Sequence, residues 1–292
     1  MIRNRNIVLK VVAMAGLLLG AGGIAAAQST QSGTGSQSQP ASQPPADKSK
    51  TPEVTPLTLD APAPVSAGED AAFKVFHDTG SNDANKKIEL GEAFLQKYPQ
   101  SHYRPNVYKE LSFGYVQIGQ VQKMQEYGEK ELELIPNDVS TLALLGQTLP
   151  RSLQRNTPEP EKVLAKAEHY SKQAIEITPT LPKPVELTDE QFDKAKNQTL
   201  AMAHGGLGLV FVRRGKYADA ISELELSLKI DPTPDPVNYY LLGMANKSAS
   251  HFDDAVAAFN KCAALGGQMQ AACKNGAEDA KKMGSTQLSV PK

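Results

Sequence analysis

The stretch Ala201-Met-Ala-His-Gly-Gly-Leu-Gly-Leu-Val-Phe-Val-Arg-Arg-Gly-Lys-Tyr-Ala-Asp-Ala220 decides the fold. Leu207-Gly208 opens a pattern that continues through Phe211, Gly215, Tyr217, Ala220 and Leu224 to Pro232. The pairing of Leu with a small residue recurs at Leu111-Ser112, Leu145-Gly146 and Leu242-Gly243. Self-similarity at this spacing marks repeats, in which each unit is one supersecondary element that cannot bury its apolar face alone.

Each unit reads as two antiparallel helices. The small residue on the first helix lets its backbone approach the second, and Ala220 and Ala255 do the same from the other side. Larger residues three and four apart fill the space between helices. Gly119 and Gly215 fall at the turn, where a left-handed backbone costs Gly least. Pro136, Pro179 and Pro232 stand just past each second helix, which a proline cannot continue. Asp235-Pro236 supplies a helix cap followed by proline at the first helical position. Leu111, Leu145, Gly146, Leu207, Gly208, Ala220, Leu242, Gly243 and Ala255 are therefore the expected packing positions.

These residues resemble the tetratricopeptide repeat family. The match is fullest over 201–232, good over 105–136 and 236–265, and partial elsewhere. Ser112 replaces the usual Gly, and His204 stands where Trp is common. The resemblance implies an all-α, helical-hairpin solenoid of about five repeats with a capping helix. Repeats are placed near 67–101, 105–136, 139–179, 201–232 and 236–265, with a cap over 268–282 and a tail over 285–292. The run Phe94-Leu-Gln-Lys-Tyr-Pro-Gln-Ser101 is similar to repeat ends of bacterial envelope assembly proteins.

Residues 1–27 read as an export signal. Arg3, Arg5 and Lys10 precede the apolar run 11–24, and Ala25-Ala26-Ala27 offers a cleavage site. A retained anchor is the rival reading, but the run is shorter than the ~20 residues a spanning helix needs. Cleavage would leave no stable membrane insertion. It would move the formal charge from −1 to −4. Nothing in that balance invites nucleic acid, which wants a basic face. Residues 28–66 hold Gln, Ser, Thr, Pro and Ala with no aromatic. Such a stretch cannot bury enough apolar area to offset ordering entropy, so it reads as a disordered tether of roughly 35 Å. The folded body is then 67–284.

Two insertions interrupt the repeats. Arg151–Pro160 adds a polar loop before a helix over Glu161–Ile177. The segment 182–200 precedes the fourth unit, with Thr188 as a helix cap and acidic residues in the first turn. No breaker follows until Gly205, so one long helix is expected from 189 to 213. Insertions in solenoids collect on one face and serve binding; a tolerated loop extension is the plain alternative.

No catalytic chemistry assembles along the chain. The five His show no metal-ligand spacing, and no phosphate loop or haem-attachment motif is present. His204-Gly205-Gly206 has the residue types of an oxyanion loop, but no G-x-S-x-G accompanies it. The acidic residues read as solvent-facing. No cofactor and no metal is implied.

Cys262 and Cys273 are the sharpest chemical feature. On one continuous helix they would lie about 16 Å apart, too far to bridge. Gly266-Gly267 should break the helix and fold the cap back, so that the sulfurs meet. An exported chain favours pairing; two small buried apolar residues are the alternative.

The family resemblance also implies a concave groove lined by first helices. Counting from the small residue gives Lys109, Phe113, Val116, Ala143, Gln147, Leu209, Val212, Tyr240, Met244 and Lys247 as groove positions. Some of these would pack between repeats instead. The family's terminal-carboxylate clamp is not assembled. The expected function is a non-catalytic scaffold of the bacterial envelope, periplasmic or secreted, that holds a protein or peptide partner. The alternative is an accessory subunit of an envelope assembly or cell-wall enzyme complex.

Overall fold

The computed structural model describes residues 66–80, 82–231 and 233–288. The export segment, nearly all of the 28–66 tether, Pro232 and the last four residues lie outside these. The described chain forms helices α1 (Ala67–Asp78), α2 (Ala84–Lys97), α3 (Arg104–Gln117), α4 (Val121–Leu134), α5 (Val139–Ser152), α6 (Pro160–Ile177), α7 (Asp189–Arg213), α8 (Tyr217–Ile230), α9 (Pro236–Ser248), α10 (Phe252–Ala264) and α11 (Gln270–Leu288), with no strand among the described residues. Consecutive helices pair as hairpins, and each hairpin packs on the next. The architecture is the all-α helical-hairpin solenoid.

Local chemistry fixes the turns. The short links after α3, α7 and α9 close in the same way. Gln120 N–H bonds to Tyr115 C=O, Lys216 N–H to Phe211 C=O and His251 N–H to Asn246 C=O, each at 2.9 Å. This six-to-one bond needs a left-handed residue just before it. Gly119 (φ 73°) and Gly215 (φ 71°) supply it in two repeats, and Ser250 (φ 64°) does so in the third. The long helix α7 starts at a capping box: Thr188 Oγ1 accepts from Gln191 N–H, and Gln191 Oε1 accepts from Thr188 N–H.

Small residues set the distance between paired helices. A Cβ at Gly208 would lie 2.7 Å from Leu224 Cγ, and one at Gly243 would lie 2.7 Å from the Phe259 ring. At Gly146 it would lie 2.3 Å from Ser171 Oγ and 3.0 Å from the Ser171 backbone nitrogen. Ser112 tolerates its extra atom because its Oγ donates to the Met124 carbonyl at 2.9 Å. Leu111, Leu145, Leu207, Ala220, Leu242 and Ala255 are all buried in the same seams.

Three boundaries differ from the sequence reading. α5 does not end before Arg151 but runs through Pro150 to Ser152. Pro150 cannot donate to the Gly146 carbonyl, and α7 crosses α5 at that point. A Cβ at Gly206 would lie 2.7 Å from the Gly146 oxygen. The cap begins at Gln270, after a 3-10 turn over Gly267–Met269. It runs to Leu288, so 285–288 are helix rather than tail. Ala277 and Ala280 keep its inner face against α10, and a Cβ at Gly284 would meet Phe252 Cβ at 3.1 Å, so packing carries the helix past Lys282.

Candidate interaction face

The expected groove residues lie on the first helices of successive repeats, and not all of them reach the surface. Val116 (9% exposed) belongs to the core that runs from α1 to Val210 of α7. Leu209 (6%) packs with Leu224, Leu241 and Leu242, and Ala143 is sealed beside Ala174 and Ala203. These three are interior residues. Counting from the small residue assumes evenly spaced helices, whereas Gly206 draws α7 onto α5 and Gly205 draws it onto Asn238 of α9, beside Ala143 and Leu209; Val116 is taken up by the first core instead.

Phe113, Val212, Tyr240 and Met244 are half-buried. Phe113 leans on the first core and Val212 on the second. Tyr240 meets the Phe259 ring edge-on at 5.6 Å, and it packs with Met244 under α11. The cap thus occupies the place of a sixth first helix. A Cβ at Gly276 would lie 2.7 Å from the same Phe259 ring that Gly243 abuts from the other side. Gln147 and Lys247 are also partly exposed, and neither side chain has an ion pair or hydrogen bond among the described residues. Lys109 is engaged: its Nζ lies 2.7 Å from Asp138 Oδ2.

Asp138 also caps α5, accepting from Ser140 N–H and Thr141 N–H at 3.0 Å each. Beside it lies Glu131, 1% exposed, whose Oε2 has no hydrogen-bond partner. Burial, and then the Asp138 charge, push the Glu131 carboxyl up to about 8, against the pull of Lys109 and of the Thr141 hydroxyl. The sequence reading, which placed acidic residues on solvent faces, is corrected at this position. Glu131 sits in the run Glu129-Lys130-Glu131-Leu132-Glu133, which reads as a solvated helix face. The missed signal was its register: three residues after Gly128, as Ser227 follows Leu224 and Cys262 follows Phe259.

Other polar links also went unread. Arg151 joins the α9 cap residue Asp235 at 2.8 Å. Arg214 bridges Glu161 and Glu168 on α6. Lys172 and Arg214 together hold the Glu168 carboxyl below the usual range. His204 Nδ1 lies 2.6 Å from Glu223 Oε2, which gives the residue at the usual Trp position a partner on α8. Neither this pair nor its surroundings make a metal site, since no group of three or more His, Cys, Asp or Glu among the described residues is placed to hold one. No helix among the described residues is long and apolar enough to cross a membrane.

Cys262 and Cys273 form a disulfide with their Cα atoms 5.9 Å apart. Gly266 (φ 73°) and Gly267 (φ 71°) make the reversal that brings α11 back. Both cysteines are fully buried beneath Tyr239, Tyr240 and Met269.

No protein-family model matches the sequence, and no curated protein matches it. Among solved structures, it is similar to a thermophilic TPR protein from Thermus thermophilus, at 18% identity over 76% of this chain and 100% of that one, with a TM-score of 0.46. It is similar to MamA from AMB-1 at 16% identity over 68% and 96% of the two chains, TM-score 0.46. A third is an assembly chaperone of RpL4, at 9% identity over 75% and 96%, TM-score 0.43. With identities and TM-scores this low, the fold rests on the hairpin pairing, the shared turn bonds and the glycine contacts above.

Proposed function

We propose that this tetratricopeptide-type solenoid is a non-catalytic scaffold of the bacterial cell envelope that holds a partner protein or peptide on its first-helix face. The observation that carries the reading is the partly exposed row of Phe113, Gln147, Val212 and Lys247. It offers apolar contact with two polar side chains, Gln147 and Lys247, that have no partner among the described residues. Such a row suits a peptide held by side-chain pockets. Fold bears on function here only by analogy. Export rests on the basic, apolar and small-residue order of residues 1–27. A role as an accessory of an envelope assembly or cell-wall enzyme complex is favoured by the Phe94–Ser101 run and would show in the identity of the partner.

The test is a crosslinking pull-down from the envelope fraction, comparing the native chain with Gln147→Lys/Lys247→Glu. Neither change removes an internal contact, so the helical circular dichroism should hold. A partner lost only in the variant supports the groove. Equal capture by both proteins refutes it. Intact mass of the exported chain tests cleavage after Ala27.

A further inference from the structure

One position recurs wherever a second helix meets the next first helix, and its chemistry changes from repeat to repeat. Ser227 Oγ accepts from Asn238 Nδ2 at 3.0 Å, and Cys262 is bonded to Cys273. Ala174 and Ala203 share one buried cluster. At the α4–α5 junction the residues are Glu131 and Thr141, at 1% and 0% exposure. Glu131 is the one member of this series that can gain or lose a proton. Its Oε2 and the Thr141 Oγ1 are both buried, and the Thr141 hydroxyl is the one side-chain donor beside the carboxyl.

The charged groups that act on Glu131 come from two helices. Asp138, from the start of α5, presents a carboxylate already engaged by Ser140 N–H, Thr141 N–H and Lys109. Lys109, from α3, is held by Asp138 at 2.7 Å. An ionised Glu131 would therefore be a second carboxylate in a site whose cation is taken. A charge buried with a single hydroxyl, that of Thr141, for a donor is costly, and the ways out are to stay neutral or to open toward water. A neutral carboxyl needs no counter-ion and costs far less to bury.

We propose that the α4–α5 junction is a proton-operated joint, closed while Glu131 is a neutral acid and loosened when it ionises. The sense of the pH dependence follows from linkage. The carboxyl's ordinary value is 4.5 and burial raises it to about 8 in the folded chain. Between these values the folded protein holds a proton that the unfolded chain has released. The residue's contribution to stability is full below 4.5, falls by about tenfold in the folding constant per pH unit, and is flat above 8. Opening of the joint grows over the same range and levels off above 8.

Glu131→Gln keeps the shape of the neutral acid and cannot ionise. Urea unfolding from about pH 5 to 9 should show the native folding constant falling about tenfold per pH unit relative to the variant up to about pH 8. Limited proteolysis reads the joint locally, because Pro136 and Asn137 in the α4–α5 link are exposed. Cutting there should be equal in the two chains below about pH 4.5, and the excess for the native chain should grow with pH up to about 8 and then level off. Parallel unfolding profiles, or equal cutting at the higher pH, would overturn the proposal. Should the variant not fold, the carboxyl carbon resonance of Glu131 in the native chain decides. Titration near 8 supports the joint, and titration near the ordinary 4.5 removes it.

Discussion

Replacing Gly206 with Ala should loosen the centre of the solenoid, although alanine is the better helix former. The added Cβ would lie 2.7 Å from the Gly146 oxygen and 2.8 Å from Gln147 Cα. All of its near neighbours are backbone atoms of α5, so no side chain can swing aside. Restoring ordinary contact requires α5 and α7 to part by ~0.7 Å, and a gap of that size forfeits a quarter to a half of the dispersion attraction at the crossing. Overpacking of this kind costs ~1–3 kcal/mol. The gain in helix propensity is only ~1 kcal/mol. The net expectation is a loss of up to about 2 kcal/mol, or ~2–4 °C in melting temperature for each kcal/mol in a domain of this size. Gly68→Ala is the control, since its Cβ would meet only Tyr98 Oη at 3.4 Å, an ordinary contact. Urea and thermal unfolding followed by circular dichroism measure both. If Gly206→Ala were more stable than the native chain by the full helix-propensity gain of ~1 kcal/mol, the close crossing of α5 and α7 would be wrong.

Three further outcomes follow from the same contacts. Cys262→Ala/Cys273→Ala should cost about 3 kcal/mol on the loop-entropy account, with hydrogen exchange rising first in α11; unchanged protection there would show that packing alone holds the cap. Thr188→Ala breaks the capping box and should cost ~1 kcal/mol, seen as fraying at the start of α7 rather than near Gly205. Ser250→Gly should stabilise by up to ~1 kcal/mol, because Ser250 holds the left-handed conformation that Gly119 and Gly215 hold freely; a destabilised variant would contradict the shared turn.

The parts of the fold that were legible are those written in local chemistry. Thr188, the acidic first turn and the lack of a breaker before Gly205 define α7, and its span is Asp189–Arg213. Gly146, Gly208 and Gly243 mark close approaches because no other residue fits them. What was not legible depends on where neighbouring repeats lie. A loop is expected from Arg151, yet the helix continues through Pro150 to Ser152, and Gly146, whose carbonyl Pro150 cannot reach as a donor, lies under Gly206. Val116 and Leu209 count as groove positions by spacing but are covered by adjacent helices. Glu131 looks like any acidic residue on a charged helix, and only its register with Ser227 and Cys262 places it inside. Arg151 and Asp235 are far apart in sequence, and their pairing could not be read from either neighbourhood.

The central claim is that the first-helix face holds a protein partner. The most direct measurement places a photo-reactive residue at Gln147, Val212 or Lys247 in one set of variants and at the exposed second-helix positions Lys166, Glu225 and Lys229 in another. Irradiating the producing cells should yield one discrete protein adduct from the first set and none from the second. Adducts arising from the second-helix set, with none from Gln147, Val212 or Lys247, would contradict the account.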